Sequence, residues 1–488
     1  VIDAIKLKWF YGVSLIYIAC GAAAIATENY LFVLVPAAMA ILYLSIFAID
    51  ILMYIVVFCT PLAINIDNKS FGYALSIPTE PLMFGIMLLF LFKVIREGGF
   101  DREVMKHPVT KVILINLVWI LVTTLTSTLI VVSLKHLLAR LWFVLVFYFL
   151  GTQLFKNTSN IRRFIWLYVI PLLGVISYTI YRHWQNGWTQ KTAHWVMTPF
   201  YNDHTAYAAV IAMFIPVVIA FSRNTGYHLK YRLSAIFVFL VMIAAMVLSY
   251  TRAAWVSLFV AAAVYFVIAF RIRLGTILLI SAVGLALFFS FRTELTLKLE
   301  RNRQQSSTDF NAHLQSISNI TTDASNLERI NRWNSAIRMF KERPFFGWGP
   351  GTYQFQYAPY QLSTEKTIIS TNAGTGGNAH SEYIGPLAES GVLGTVTFVL
   401  ILLVLLYRTI RLYSRIDDKE VRSLAMGILM GLITYVVHGS LNNFLDTDKA
   451  SVPFWAFVAM LVALDIRYSH GNKKEANGSS SSTLNSLH

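Results

Sequence analysis

The chain has 488 residues, of which 56% are hydrophobic and 13% charged, and its mean hydropathy is +0.58. That much apolar surface excludes a water-soluble globular protein and makes a bilayer the solvent. The net charge of +15 does not argue for nucleic acid, because the cations sit in loops between apolar stretches, where membrane lipids with anionic headgroups are their ordinary partners.

In chain order, a window of about 19 residues finds apolar stretches at 9–26, 29–48, 50–66, 80–95, 111–129, 137–155, 162–181, 205–222, 232–249, 252–271, 273–290, 382–407, 420–440 and 452–468. Several are short or nearly fused, so twelve to fourteen spans are expected. A second apolar stretch follows the first at once, which argues against a cleaved signal peptide. The basic loops hold Lys93, Arg96 and Arg102, then Arg162 and Arg163, Arg223 and Arg232, and Arg408 to Arg422. With fourteen spans they all fall on one side, which the positive-inside rule names cytoplasmic, and an even count puts both termini there. The fold class is therefore an all-α integral membrane protein, a polytopic helical bundle with one long outer loop containing amphipathic helices. Its parts are N-terminal spans 1–290, the loop 291–381, C-terminal spans 382–470, and a Gly-, Asn- and Ser-rich tail 471–488 expected to be disordered on the cytoplasmic side.

Three outer segments interrupt the apolar chain. The first, 182–204, holds Trp184, Trp188 and Trp195, which suit an interfacial aromatic belt, and ends in Asn202-Asp203-His204 at a helix mouth. The second is the long loop. Its part from Arg292 to Ser325 is polar, with Arg301 and Arg303. Ile330, Trp333, Ile337 and Phe340 then recur at helical spacing, predicting a helix that lies on the membrane's outer face, apolar side down. Pro344 stops it, and Phe345 to Gly351 form a tight aromatic turn. The third, 438–451, opens on a histidine.

Cys20 and Cys59 lie in apolar stretches and read as small apolar fillers. No CxxC, HExxH or phosphate-loop motif occurs, so the sequence supports no metal site and no nucleotide cofactor. Arg252 stands between two apolar spans with almost no loop. A guanidinium there is either a snorkelling anchor or a functional charge, and intramembrane charge is functional by default. Arg329 and Arg332, three apart on the loop helix, face the same way; they form either a solvated face or a clamp for phosphate, whose oxygens a guanidinium matches bidentately. His380 follows Gly374, Gly376, Gly377 and Asn378, precedes Ser381 and Glu382, and opens the helix 382–407. A lone histidine at a helix start is more often structural. One at a water boundary also suits activation of a sugar hydroxyl. Gly391 and Gly394 would let a neighbouring helix approach closely.

The sequence His380-Ser381, nine residues, Gly391-x-x-Gly394 resembles the signature of O-antigen ligases. These belong to a superfamily with O-antigen polymerases and bacterial O-linked oligosaccharyltransferases. Arg329, Trp333, Pro344, Gly347, Gly349 and Gly351 resemble the superfamily's preceding pattern. Ser249, Arg252 and Trp255 resemble its Ser-x-x-Arg-x-x-Trp element, and Asn202 its Asn-containing entry to a span. The likeness runs from about 200 to 440; the N-terminal third agrees only in hydropathy.

The resemblance implies a GT-C-like glycosyltransferase of the bacterial inner membrane with its active site facing the periplasm. The donor would be an undecaprenyl-pyrophosphate-linked glycan and the acceptor a sugar hydroxyl of lipid A–core. The reaction would be metal-independent and inverting. It also implies that Arg252 and Arg329 bind the pyrophosphate and that His380 assists the acceptor hydroxyl, with Arg332, Asn202, His204, Glu382 and Ser381 as substrate-binding candidates. Polymerase and oligosaccharyltransferase readings share the donor chemistry and differ only in acceptor. A lipid-linked glycan transporter is the alternative of another class; it would place charge at the bilayer midplane and show Gly- or Pro-broken helices, whereas the candidates here gather at one face.

Overall fold

In a computed structural model the chain is described over residues 2–29, scattered positions between 32 and 44, 48–68, 73–273, 275–276, 324–367, 370–371 and 377–484. Most of the expected spans 29–48 and 273–290, the loop segment with Arg301 and Arg303, and Gly374 and Gly376 lie outside the described residues.

The fold is all-α and polytopic. The principal helices are α1 (Ile2–Ala26), α2 (Ile49–Cys59), α3 (Thr79–Arg96), α4 (Pro108–Leu125), α5 (Ile130–Phe143), α6 (Thr158–Gln185), α7 (His204–Arg223), α8 (Leu229–Leu248), α9 (Arg252–Ala269), α10 (Ala324–Glu342), α11 (Ile384–Tyr413), α12 (Lys419–His438) and α13 (Asp448–Leu484). Among the described residues nine helices are long and apolar enough to cross a bilayer. The apolar part of α1, Tyr11–Ala26, and the segment Ile49–Leu62 are shorter.

Three stretches differ from expectation. The chain after α2 does not continue apolar to 66 but turns into a hairpin, β1 (Ile64–Asn68) with β2 (Tyr73–Ile77), antiparallel with Ile64 opposite Ile77. The period-2 alternation Ile64-Asn65-Ile66-Asp67 is a strand pattern that averaging over a span-sized window conceals. The stretch expected at 137–155 begins seven residues earlier, at Ile130, and reaches Phe155 through a π-helical segment, Val144–Leu150. α13 is drawn on to Leu484, into the stretch expected as a tail, but only Asp448–Ser469 is apolar enough to span.

The apolar core of the α13 span is fully buried and packs at the centre of the bundle; α7 and α12 pack together and are 72% buried, whereas α8 and α9, at 28% and 22%, form its rim. Exposed apolar side chains such as Phe237, Phe259 and Phe266 on that rim match a hydrocarbon environment. At one end of the bundle the basic loops meet and several of their charges are paired. Asp465 takes Arg408 Nε at 2.6 Å and His107 Nε2 at 3.0 Å, Arg162 binds Glu420 at 2.6 Å, and Lys156 binds Asp101 at 2.7 Å.

Candidate functional site

The opposite end is built from the mouths of α7 and α9, the long-loop helix α10, the segment entering α11, and the α12–α13 turn. Asp203 caps α7, its Oδ1 accepting from the Thr205 and Ala206 amides at 2.7 and 2.8 Å, as short acidic side chains do at helix starts. The Asn202–His204 cluster is thus a helix cap. The Thr251 hydroxyl donates to the His204 carbonyl at 3.2 Å, so Arg252, the first residue of α9, opens its helix beside the start of α7. The His204 ring stacks on His194, centroids 4.3 Å apart.

The α10 helix ends at Glu342, ahead of Pro344, and its polar face is buried against the protein instead of lying in solvent. Its polar residues Glu328, Asn331, Arg332 and Ser335 are buried, while Ile337 is exposed and Ile330, Trp333 and Phe340 are half-buried. Pairing permits that burial. Arg332 Nε binds Glu328 at 2.6 Å, and its guanidinium lies over the Tyr357 ring at 4.0 Å. The Asn331 amide donates to Gln361 at 2.8 Å. Burial alone would raise the Glu328 pKa, but hydrogen bonds from Ser370, Arg332 and Thr367 hold it below its ordinary value. The outward apolar stripe remains compatible with a helix resting on a membrane surface.

Arg329 reaches across to the α12–α13 turn, its Nε donating to the Leu441 carbonyl at 3.1 Å. It lies within electrostatic reach of three imidazoles, His204, His380 and His438. His380 has φ +48°, a left-handed backbone that costs of order 1–3 kcal/mol in a non-glycine residue. Its amide is held by Asn378 Oδ1 at 3.1 Å. Burial first, then the guanidiniums of Arg329 and Arg332, push its pKa down to about 4, against the pull of Asp203 and Glu328. At neutral pH the ring is therefore uncharged and able to accept a proton.

The other sequence-derived candidates hold this loop. Ser381 Oγ accepts from the Tyr383 and Ile384 amides, each at 3.3 Å. Glu382 Oε1 accepts from the Tyr435 hydroxyl at 2.6 Å and the Phe444 and Leu445 amides at 2.8 and 2.9 Å. Burial, and then Asp446, push the Glu382 carboxyl up to about 7. Asn202 Oδ1 accepts from Asn65 Nδ2 at 3.2 Å, tying the hairpin to the site.

Gly391 admits a loop rather than a helix. It breaks α11 with φ +68°, and a Cβ there would overlap the Phe345 carbonyl. Into the gap fits the aromatic turn: the Trp348 and Gly349 amides donate to the Ala388 and Glu389 carbonyls at 3.0 and 2.8 Å, and the Val392 amide to that of Pro344 at 2.9 Å. Gly349, at φ +115°, must also lack a Cβ, which would strike Ser127. The turn thereby fixes α10 against α11, and Arg329 against His380.

A cavity of about 770 Å³ lies behind the His380 segment, bounded by Asn378, Ser381 and Glu382 and by Asp203. Its far wall carries Arg140 of α5, a guanidinium inside an apolar stretch. Arg140 bears the same sequence signal as Arg252, yet in the sequence it is submerged in the stretch 137–155.

Residues 237–399 match the family model described as O-antigen ligase. The matched segment contains Arg252, Arg329, Arg332, His380, Ser381, Gly391 and Gly394. No curated protein gives a significant match to the chain.

Proposed function

We propose that this chain, a member of the O-antigen ligase superfamily and a multi-pass membrane enzyme of the lipid-linked glycan transferase type, is a ligase of the bacterial inner membrane. It moves a glycan from undecaprenyl pyrophosphate to a sugar hydroxyl of lipid A–core on the periplasmic side, with both termini in the cytoplasm. The observation that carries the reading is Arg329 set among His380, His204 and His438 on a loop braced by the Gly347–Gly351 turn.

In this mechanism Arg329 and Arg252 bind the pyrophosphate of the donor. The acceptor oxygen bonds to the anomeric carbon from the face opposite the leaving group, and the anomeric carbon–oxygen bond breaks. Its electron pair stays on undecaprenyl pyrophosphate, and the configuration inverts. The guanidiniums stabilise the charge that develops there, as preorganised donors do in a site screened from water, and a metal ion is not required for that task. The hydroxyl proton passes to the neutral His380 ring late in bond formation, because a sugar hydroxyl is a poor acid. Arg332, already bonded to Glu328, positions α10 rather than gripping phosphate. Ser381 and Glu382 hold the His380 segment in place.

The test is transfer in detergent by purified protein, with an undecaprenyl-pyrophosphate glycan, lipid A–core and EDTA present, beside His380→Ala. Product on lipid A–core that disappears in the variant supports the ligase. Longer lipid-linked glycan or a modified protein acceptor instead would make it a polymerase or an oligosaccharyltransferase. Activity lost to EDTA and restored by a divalent cation would overturn the metal-free mechanism.

A further inference from the structure

We propose that the cavity behind the His380 segment is a saccharide subsite that binds neutral, hydroxyl-rich sugar rings, anchored by Arg140. Its volume, about 770 Å³, falls within the roughly 300–1,000 Å³ of small-ligand pockets. Its wall is mixed in the way sugars demand. Asp203, Glu389 and Asp446 offer acceptors for hydroxyls, Asn202 and Asn443 offer amides, and Phe200, Phe355 and Phe444 offer apolar faces.

A lipid tail would not use those polar groups, and a phosphate would meet a wall on which carboxylates outnumber permanent cations. Of those cations, Lys449 is already spent on the carbonyls of Thr60 and Ala63 at 2.5 and 2.7 Å. Arg140 is not. Among the described residues it makes no hydrogen bond or ion pair, and its one aromatic neighbour, Trp455, lies 6.0 Å from the guanidinium. Glu382 and Glu389 are near enough to feel its charge yet direct their bonded oxygens elsewhere, Glu382 to Tyr435 and Glu389 to the Tyr353 amide at 3.0 Å. A guanidinium with its donors uncommitted, on a cavity wall and close to carboxylates, is prepared for a ligand that presents acceptor oxygens.

The cavity is lined by Asn378, which holds the His380 amide, by Ser381, its chain neighbour, and by Asp203, whose charge reaches its ring, so a sugar seated in it lies against the segment that carries His380. That the sugar belongs to a substrate of transfer rests on the ligase reading; that the cavity binds sugar does not.

The experiment is saturation-transfer NMR on the full chain in detergent. One probe is the soluble oligosaccharide released from lipid A–core by mild acid; the other is the repeat-unit glycan freed of its pyrophosphate. Wild type and His380→Ala should both bind at least one of them. Arg140→Ala should weaken that binding about tenfold, the scale of one lost charged hydrogen bond. Ala139→Phe, which fills the cavity and deletes no polar group, should abolish it and serves if Arg140→Ala misfolds. Binding of the first probe assigns the subsite to the acceptor, and of the second to the donor glycan. Binding of neither, or binding indifferent to both substitutions, overturns the proposal.

Discussion

The two ends of the bundle handle charge in opposite ways. Where the basic loops gather, several cations are matched by carboxylates: Arg408 by Asp465, which also binds the His107 ring, Arg162 by Glu420, Lys156 by Asp101. At the other end three imidazoles lie within electrostatic reach of Arg329, and among the described residues the buried Nδ1 atoms of His204 and His438 and the Arg140 side chain on the cavity wall have no hydrogen-bond or ion-pair partner. A buried polar group left unmatched costs stability. A fold that meets cations with carboxylates at one end and, among the described residues, leaves imidazole nitrogens and the Arg140 side chain without hydrogen-bond or ion-pair partners at the other is keeping the second set for something that is not protein.

The largest effect that would break this contrast comes from removing a cation at each end. Arg329→Ala should lower transfer by about 10²–10³-fold, the scale for losing one preorganised charge-stabilising donor. Arg329→Lys should fail nearly as badly, because a point charge cannot copy the planar fork. Arg162→Ala should leave transfer intact and cost about 1 kcal/mol of stability or less, since that pair is partly exposed. Equal losses of turnover in the two variants would erase the distinction between the ends.

Next in size is the buried pairing at the basic end. Asp465→Ala strands Arg408 and His107 and should cost about 3–5 kcal/mol in thermal unfolding, with turnover per folded molecule unchanged. An unaltered melting curve would mean that the pairing there is ornamental.

Much of this contrast was legible before the fold was known, and the misses have physical causes. Hydropathy located the span-length helices because a bilayer demands long apolar runs, and the His380 and Arg329 motifs lie where the comparison with known families also finds its match. The hairpin Ile64–Ile77 escaped because its alternation is apolar enough on average to extend a span. The burial of α10's polar face was not legible, because hydrophobic spacing marks what avoids water, and Arg332, Glu328 and Asn331 avoid it by pairing with one another and with the loop. Gly391 could be recognised as a close-approach position, but which backbone approaches, the Pro344–Phe345 turn, depends on tertiary contacts that no local pattern carries.

Within the candidate site the comparison sharpens between residues that hold and residues that act. Glu382→Gln retains an oxygen for the Phe444 and Leu445 amides and should keep both stability and turnover. Glu382→Ala orphans both amides and should cost about 2 kcal/mol or more. A glutamine variant that folds normally yet is inactive would give the carboxylate a direct part in the reaction.

The smallest effect is on pH dependence. The depressed His380 pKa means the free enzyme carries a neutral ring from neutrality down, so kcat/KM should stay level below pH 6.5 and fall only towards about 4. The donor's negative charge offsets Arg329 and Arg332, so the corresponding limb of kcat should lie at higher pH than that of kcat/KM. An inflection near 6.5 in kcat/KM would place His380 in water rather than among guanidiniums.

The most direct measurement is equilibrium binding of radiolabelled undecaprenyl pyrophosphate to the detergent-purified chain, compared among wild type, Arg329→Ala and Arg162→Ala. The account predicts that wild type and Arg162→Ala bind alike and that Arg329→Ala loses at least about tenfold in affinity, the scale of one charge-assisted contact. Equal affinity in all three would contradict the claim that the Arg329 end of the bundle is where the pyrophosphate sits.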